Sequence, residues 1–397
     1  MNFILFDGNT RNNLLPLTFT RPVADIRLGI LTIREKWEKN LNSKTSSKTA
    51  GYLSKKHPTV FLIDEENIWI NGAYCPNIQL IQEIKLLKPM EVLLDSTTVI
   101  ASNTGEAKDF EYDSLEGFTK YESHSKAMRI DELWDIFSKN EEAIKVDFEL
   151  LTAGRQSQVL SSSNHVISLG NIFVEEGAKI ECATFNASNG PIYIGKNAEV
   201  MEGSLIRGPF SLGEHSILKL GTKIYGPTTI GPHCKIGGEI NNSVVFGYSN
   251  KAHDGFLGNS VIGEWCNIGA DTNNSNLKNN YTEVRLWSYE QENFVKTGLT
   301  FCGLIMGDHS KCAINTMFNT GTVVGVSANI FGPGFPRNFI PSFAWGGASG
   351  FTTYKIQDAL DVASRVFERR GLTFDEVEQE ILLHIYELTG KKQFLVK

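Results

Sequence analysis

From about residue 165 the apolar positions fall on a six-residue beat: Val174, Ile180, then Ile194, Val200, Ile206, Leu212, Leu218, Ile224, Ile230 and Ile236. Glycine follows directly in Ile194-Gly195, Leu212-Gly213, Ile230-Gly231 and Ile236-Gly237. The beat resumes out of phase with Phe246-Gly247, Leu257-Gly258, Ile262-Gly263 and Ile268-Gly269, and again through Met306-Gly307, Cys312, Phe318, Val324-Gly325 and Ile330. Such a period marks a solenoid. Each six-residue unit supplies one short side of a triangular coil, and three units close a turn. The aliphatic residue points inward, and the glycine permits the tight corner that follows. An ordinary β-domain would show period two with turn clusters instead. Residues 238–252 break the phase and residues 271–299 form a long polar segment. Insertions in a regular solenoid are expected to leave one corner as loops.

The first 150 residues follow a different grammar. Short apolar runs at 3–6, 59–63, 68–70, 92–94 and 98–100 read as strands, and helical spacing at 30–40, 78–87 and 130–137 reads as helices. Residues 42–56, rich in Ser, Lys and Thr, read as a mobile surface loop. Strands alternating with helices predict a mainly parallel, layered α/β domain. Past the solenoid, a Gly/Pro/aromatic connector leads to helical spacing over 354–370, ending at Gly371. Thr373 with Glu376 is a capping-box signal for a last helix reaching about Leu388. The apolar face of that helix (Val377, Ile381, Leu382, Ile385) is expected to pack on the solenoid end or on a neighbouring subunit. Three regions are thus expected: an α/β domain over 1–150, a β-helix over 165–335 and C-terminal helices over 350–392.

Composition narrows the functional classes. The 397-residue chain has a net charge of -7, which argues against nucleic acid or an anionic membrane as main partner. The first residues, MNFILFDGNT, lack the basic and apolar regions of a signal peptide, and no run of about 18 apolar residues occurs. The six cysteines are scattered with no C-x-x-C pair, which points to a reducing cytoplasm and away from disulfides or structural zinc. His215 and His233 stand eighteen residues apart, one coil, and are expected to stack. No H-x-x-x-x-H pair accompanies them, so a zinc-dependent hydratase on this solenoid is disfavoured and no metal site is expected.

The segment from His253 reads HDGFLGNSVIGEWCNIGADTNNSN. It resembles the acetyltransferase half of the bifunctional N-acetylglucosamine-1-phosphate uridylyltransferase/glucosamine-1-phosphate acetyltransferase family. The matching residues are His253, Leu257-Gly258-Asn259, Ile262-Gly263, Asn267-Ile268-Gly269-Ala270 and Asn276. The resemblance implies a left-handed parallel β-helix, a homotrimer with its site in a groove between subunits, and acetyl-CoA as acyl donor. The acceptor would be an amino-sugar phosphate, most directly glucosamine 1-phosphate. Acetyl transfer needs a neutral amine, and an imidazole with an ordinary pKa of about 6.5 is suited to take its proton. His253 is therefore the implied general base. Asn267 and Asn276 would position the sugar and the imidazole, since an asparagine both donates and accepts. The family's tyrosine three residues after the histidine is Phe256 here, its coenzyme-contacting serine is Ile314, and its upstream basic residues meet GGEINNSVV. Arg285, in the later loop, is a further candidate for the substrate.

The start of the chain resembles related sugar nucleotidyltransferases that pair such a domain with a β-helix. Gly8 is the candidate loop glycine, and Arg11, Arg21 and Arg27 are candidate phosphate contacts for UTP or dTTP. The resemblance implies Mg²⁺ with the triphosphate and a product such as UDP-N-acetylglucosamine. The family's full glycine-rich signature is missing, and so is a clear pair of aspartates to carry the metal. The rival expectation is a nucleotidyltransferase alone, with the β-helix as a non-catalytic trimerisation or regulatory module.

Overall fold

The computed structural model describes residues 1–106 and 109–390, without the side chain of Glu106. The chain divides into two compact units. One holds Met1–Leu14, Thr20–Ile26 and Leu31–Glu132; the other holds Leu15–Phe19, Arg27–Ile30 and Leu133–Lys397. Among the described residues no helix is long and apolar enough to cross a membrane.

The first unit is built on a six-stranded sheet of β1 (Asn2–Phe6), β2 (Thr45–Lys48), β3 (Glu66–Asn71), β4 (Glu91–Asp95), β5 (Thr98–Glu106) and β6 (Thr119–Glu122), ordered β2-β1-β3-β5-β4-β6. Pairs β1–β2, β1–β3 and β4–β6 are parallel, whereas β5 runs antiparallel to both neighbours. Five of the six strands thus run one way and only β5 opposes them, so the sheet is mainly parallel, as expected, with one reversed strand. The β4–β5 connection is a tight hairpin turning at Asp95 and Thr98, too short for a parallel crossover. Ile4, Phe6, Trp69, Val92, Val99 and Phe110 pack one core. Helices α1 (Thr10–Asn13), α2 (Ile33–Leu41) and α3 (Ile78–Lys85) follow β1 and β3 in this unit. Helix α2 starts on a capping box between Thr32 and Glu35.

Local expectations fail where side chains, not apolar periodicity, set the backbone. Residues 42–56 contain strand β2 and a 3₁₀ turn (Gly51–Leu53), not a mobile loop. The Thr and Ser side chains of β2 are held by Arg34, which donates to Thr45 Oγ1 (2.9 Å) and to Ser47 Oγ, while its backbone pairs with β1. Residues 59–63 form no strand. They are tied to β2 mainly through hydroxyls, with Thr59 Oγ1 donating to Ser47 O and Val60 N to Ser46 Oγ. Of the expected helix 130–137 only α4 (Asp135–Ser138) is helical; the segment before it is engaged in a bridge between Tyr74 and Arg129. Helix α5 (Asn140–Thr152) follows, and it was not foreseen.

In the second unit the six-residue beat becomes three parallel sheets, the sides of a β-helix. Side one carries six strands, from His165–Ile167 to Phe256–Gly258; side two carries nine, from Ile172–Val174 to Phe339–Ile340. Side three runs from Lys179–Ile180 to the antiparallel pair Ala344–Gly347 and Gly350–Thr353 that ends it. Val174, Ile194, Leu212, Ile230, Ile262 and Met306 stack in register on side two, and Ile180, Val200, Leu218, Ile236, Ile268 and Cys312 on side three. All are buried, as the period predicts.

The two interruptions differ in kind. Residues 238–252 are no loop: they form a full but shortened coil through Glu239–Asn241, Val244–Val245 and Asn250–Lys251. Val245, not Phe246, takes the inward place beside Ile230 and Ile262, and Phe246 sits at the corner. The second interruption does leave the coil, as an antiparallel hairpin of Arg285–Ser288 and Asn293–Lys296 whose Trp287 stacks on Phe339 at 4.3 Å.

Segment Arg27–Ile30 packs within this unit. Gly29 N–H donates to Asn140 Oδ1, Gly29 O accepts from Thr229 Oγ1, and Ile30 N–H donates to Asp147 Oδ2. A Cβ on Gly29 would lie 2.5 Å from the Asp147 carboxylate, so only glycine fits here at φ +77°. Helices α6 (Ile356–Glu368) and α7 (Glu376–Gly390) close the unit, with Gly371 in the left-handed conformation after α6. Tyr386 of α7 meets Phe343 edge-on, so this helix packs on the solenoid end.

Candidate active sites

In the second unit His253 stands in the turn between Asn250–Lys251 on side three and Phe256–Gly258 on side one. Its side chain is exposed, yet its backbone is fixed carbonyl by carbonyl. His253 O accepts from Lys251 Nζ (2.8 Å), Asp254 O from Asp271 N–H (3.0 Å) and Gly255 O from Glu239 N–H (3.2 Å). Gly255 has φ +114°, and a Cβ there would lie 2.1 Å from Thr272 O, so two coils approach closely at this corner. Phe256 N–H donates to Asn273 Oδ1, tying the exit of the turn to the next coil. The outcome is a solvent-facing imidazole on a corner whose backbone is held from both neighbouring coils.

Lys251, two residues before His253, is not singled out by the sequence pattern. Its side chain enters the inward column at the register position of Ile236 and is 3% exposed. The ammonium donates to Gly237 O (2.9 Å) as well as to His253 O. Burial pushes its pKa down to about 8, against the smaller opposing pull of Asp254, Cys312 and Asp271.

The other candidates lie around this corner without converging on it. Asn267 is exposed on side three, one rung beyond Asn250. Asn276 sits at the far end of side one, where its amide donates to Asn259 Oδ1 (2.8 Å). A Cβ on Gly258 would lie 2.5 Å from the Phe256 ring and 2.7 Å from the Asn276 amide, so the glycine lets these two share one patch. Arg285 is exposed on the hairpin, whose partner Phe339 belongs to side two. Among the described residues no hydrogen bond joins His253, Asn267, Asn276 and Arg285. Ile314, where the resemblance has serine, is exposed two coils above this corner. His215 and His233 do stack, with ring centroids 5.0 Å apart. Among the described residues no group of three or more His, Cys, Asp or Glu could hold a metal ion.

The first unit offers a second candidate. Chain direction in its sheet diverges from β1, with β2 on one side and β3 on the other, and ligands of α/β sheets bind beyond the carboxyl ends at such a switch point. Gly8 lies there at φ +58°, where a Cβ would stand 3.3 Å from the Asn71 amide. Arg11 donates to Asp7 Oδ2 (2.8 Å), Thr49 Oγ1 (3.1 Å), Tyr52 Oη (3.1 Å) and Arg21 O (3.2 Å), and is thus largely engaged within the protein. Arg21 is buried. Arg27 belongs to the second unit, where it donates to Ile30 O. Asp7, just after β1, and Asn71, at the end of β3, are not singled out by the sequence; their being neighbours becomes visible only with the strand order. Burial raises the Asp7 pKa, opposed by Arg11 and by hydrogen bonds from Thr49 and Val23. Asp7 Oδ1 accepts from Val23 N–H and Oδ2 from Arg11 and Thr49. With three of its lone-pair sites taken and the Arg11 guanidinium 2.8 Å from Oδ2, this carboxylate is poorly placed to hold a divalent cation.

Residues 3–156 match the family model of sugar nucleotidyl transferases, which bears out the resemblance noted at the start of the chain. No curated protein matches. Solved structures similar in part include the UDP-N-acetylglucosamine acyltransferase of Arabidopsis (16% identity, 60% of this chain and 94% of that chain, TM-score 0.25). Others are the UDP-N-acetylglucosamine acyltransferase from Campylobacter jejuni (14% identity, 59% and 84%, TM-score 0.24) and a single-residue mutant of AntD. AntD, an N-acyltransferase from Bacillus cereus, was solved in complex with dTDP and coenzyme A (12% identity, 52% and 91%, TM-score 0.24).

Proposed function

We propose that the chain is a transferase acting on sugar phosphates, with acetyl transfer at the His253 corner and nucleotidyl transfer in the first unit. The observation that carries the acetyl-transfer reading is the exposed imidazole on a corner whose three successive carbonyls are all held. In this reading His253 takes a proton from the amine of an amino-sugar phosphate as the nitrogen attacks the thioester carbon of acetyl-CoA. The tetrahedral intermediate collapses with cleavage of the C–S bond, and the imidazolium returns its proton to the leaving sulfur. Amide and coenzyme A result, with atoms and charge balanced. Asn267 and Asn276 would orient the sugar, and Phe256 beside Asn276 would offer it an apolar face. Glucosamine 1-phosphate is the proposed acceptor, acetyl-CoA the donor and UDP-N-acetylglucosamine the eventual product. A homotrimer in the cytoplasm is the proposed setting.

The test is coenzyme A release from acetyl-CoA with glucosamine 1-phosphate. His253→Ala should lower kcat by about 10²–10⁴-fold, the range of a general base. Equal release by parent and variant removes His253 from the mechanism.

A second reading is favoured by the place of the family match, which covers the first unit and stops before the solenoid. It keeps nucleotidyl transfer and makes the β-helix an assembly or regulatory module. Pyrophosphate release from UTP or dTTP with a sugar 1-phosphate, without any coenzyme A release, is the outcome that selects it.

A further inference from the structure

On side three of the β-helix, Lys235, Asn250, Asn267 and Lys311 are consecutive rungs of one ladder. Rungs in a sheet lie about 4.8 Å apart, so the outer lysine backbones stand roughly 14 Å from each other. Arg369 and Arg370, just after α6, come down beside this stripe, and together these residues line a cleft of about 410 Å³. That volume lies in the range of small-molecule sites.

The charge in the cleft is uncompensated. Arg370 donates to Asn250 Oδ1 (3.1 Å) and Lys311 Nζ to His309 O (2.8 Å), both neutral acceptors. Among the described residues none of the four cations forms an ion pair. Desolvation, followed by Arg370, Lys219 and Arg369, pushes the Lys235 pKa down, and burial pushes that of Lys311 down to about 8. Like charges are gathered and partly dried here, which costs free energy in the absence of an anion. The acids acting nearby, Glu214 and Glu264, bear on Tyr248 at the cleft wall and leave the four cations in excess.

The wall itself limits what else binds. Tyr248 and Trp265 belong to a stack that runs His215, His233, Tyr248, Trp265, with neighbouring centroids 4.2–5.0 Å apart. Phe367 of α6 closes the far face of Trp265 at 4.0 Å. The ring faces are spent on one another, so the wall presents edges and no platform for an aromatic base. Recognition here rests on charge and on the two asparagine amides.

We propose that this cleft is a binding site for a phosphate ester or pyrophosphate group, held by Lys235, Lys311, Arg369 and Arg370 with Asn250 and Asn267. Guanidinium and ammonium donors matched to phosphate oxygens are the expected chemistry. The site would supply, from the third side of the coil and from α6, the basic residues missing upstream of His253. It stands as a binding site whether or not His253 is catalytic.

Two sources carry the group, the acceptor's sugar phosphate and the pyrophosphate of coenzyme A. Calorimetric titration of the full chain with inorganic pyrophosphate, glucosamine 1-phosphate and coenzyme A separates them. Binding of pyrophosphate and glucosamine 1-phosphate, with coenzyme A unaffected by cleft substitutions, assigns the acceptor. Binding of pyrophosphate and coenzyme A, with the sugar phosphate unaffected, assigns the donor. In either case Lys235→Ala and Arg370→Ala should each weaken binding at least tenfold, and affinity should fall as salt rises. Arg369→Glu, at an exposed position where misfolding is not at issue, should weaken it likewise. No binding of any of the three at millimolar concentration, or affinities unchanged in these variants, overturns the proposal.

Discussion

Lys251 occupies a place that the six-residue beat reserves for an aliphatic side chain. An ammonium inside a solenoid is tolerated because its head reaches two carbonyls at the corner, one of them that of His253. The residue thus links the core to the candidate catalytic turn. Its folded-state pKa of about 8 lies below the 10.5 of the unfolded chain, so between those values the unfolded chain holds more protons. Stability therefore rises with pH across that window. The penalty of the buried charge is fully present below about pH 8 and is relieved as pH approaches 10.5. Relative to a Lys251→Met variant, the parent should gain up to roughly 3 kcal/mol between those limits, at about 1.4 kcal/mol per pKa unit. Urea unfolding of both proteins at pH 8 and pH 10 measures the difference, and parallel pH profiles would refute it. The variant itself should not gain at neutral pH, because methionine leaves both carbonyls without their donor, at about 1–3 kcal/mol each. Sequence pattern alone did not single out Lys251: a lone lysine among polar corner residues gives no sign that it faces inward until the register of the shortened coil is known. His253 stands out in sequence as a candidate because its offsets to Asn267 and Asn276 survive the change of phase.

At the scale of elements, the period of six was enough for the β-helix because every inward residue answers to the same neighbour one coil away. It misplaced Phe246 because glycine was taken as the corner marker. In the short coil a phenylalanine takes the corner and Val245 the core. In the first unit, β2 escaped notice because its sequence, TSSK, has no apolar side chain and is held by pairing with β1 and by Arg34. Helix α6 was legible from its amphipathic spacing, which buries Ala359, Leu360, Ala363 and Phe367. What its face packs against was not, since the aromatic stack is assembled from single residues a coil apart. Phe367 is the contact that matters most: it lies flat on Trp265 and meets Phe374 edge-on at 5.2 Å. Phe367→Ala should destabilise the unit by about 3–5 kcal/mol, the usual loss for a buried phenylalanine. Thermal unfolding should show it, with a red shift of tryptophan emission as Trp265 meets water. A loss under about 1 kcal/mol would mean that α6 is not anchored by this ring.

At the scale of the whole molecule, the distribution of candidate residues around the prism is itself informative. His253 stands where side three turns into side one, and Asn276 at the other end of side one beside Asn259. Two groups at opposite ends of one side of a rigid coil do not reach the same sugar. If both act in acetyl transfer, the histidine of one copy must meet the asparagine of another, which the proposed trimer allows through a repeated interface between adjacent coils. Trimerisation alone is a weak test, because an inert solenoid also assembles. A stronger one mixes two inactive variants, His253→Ala and Asn276→Ala, by co-expression with distinguishable tags. In random trimers a site that takes one residue from each neighbour is intact about a quarter of the time, so acetyl transfer should return to roughly that fraction of the parent rate. A site formed within one chain gives no recovery, because every chain then carries one lesion. Recovery would also require that the protein elute at three times its chain mass. Absence of recovery in mixed trimers of that size would return His253 and Asn276 to separate roles, leaving Asn267, on the face adjoining His253, as the residue through which the sugar is placed.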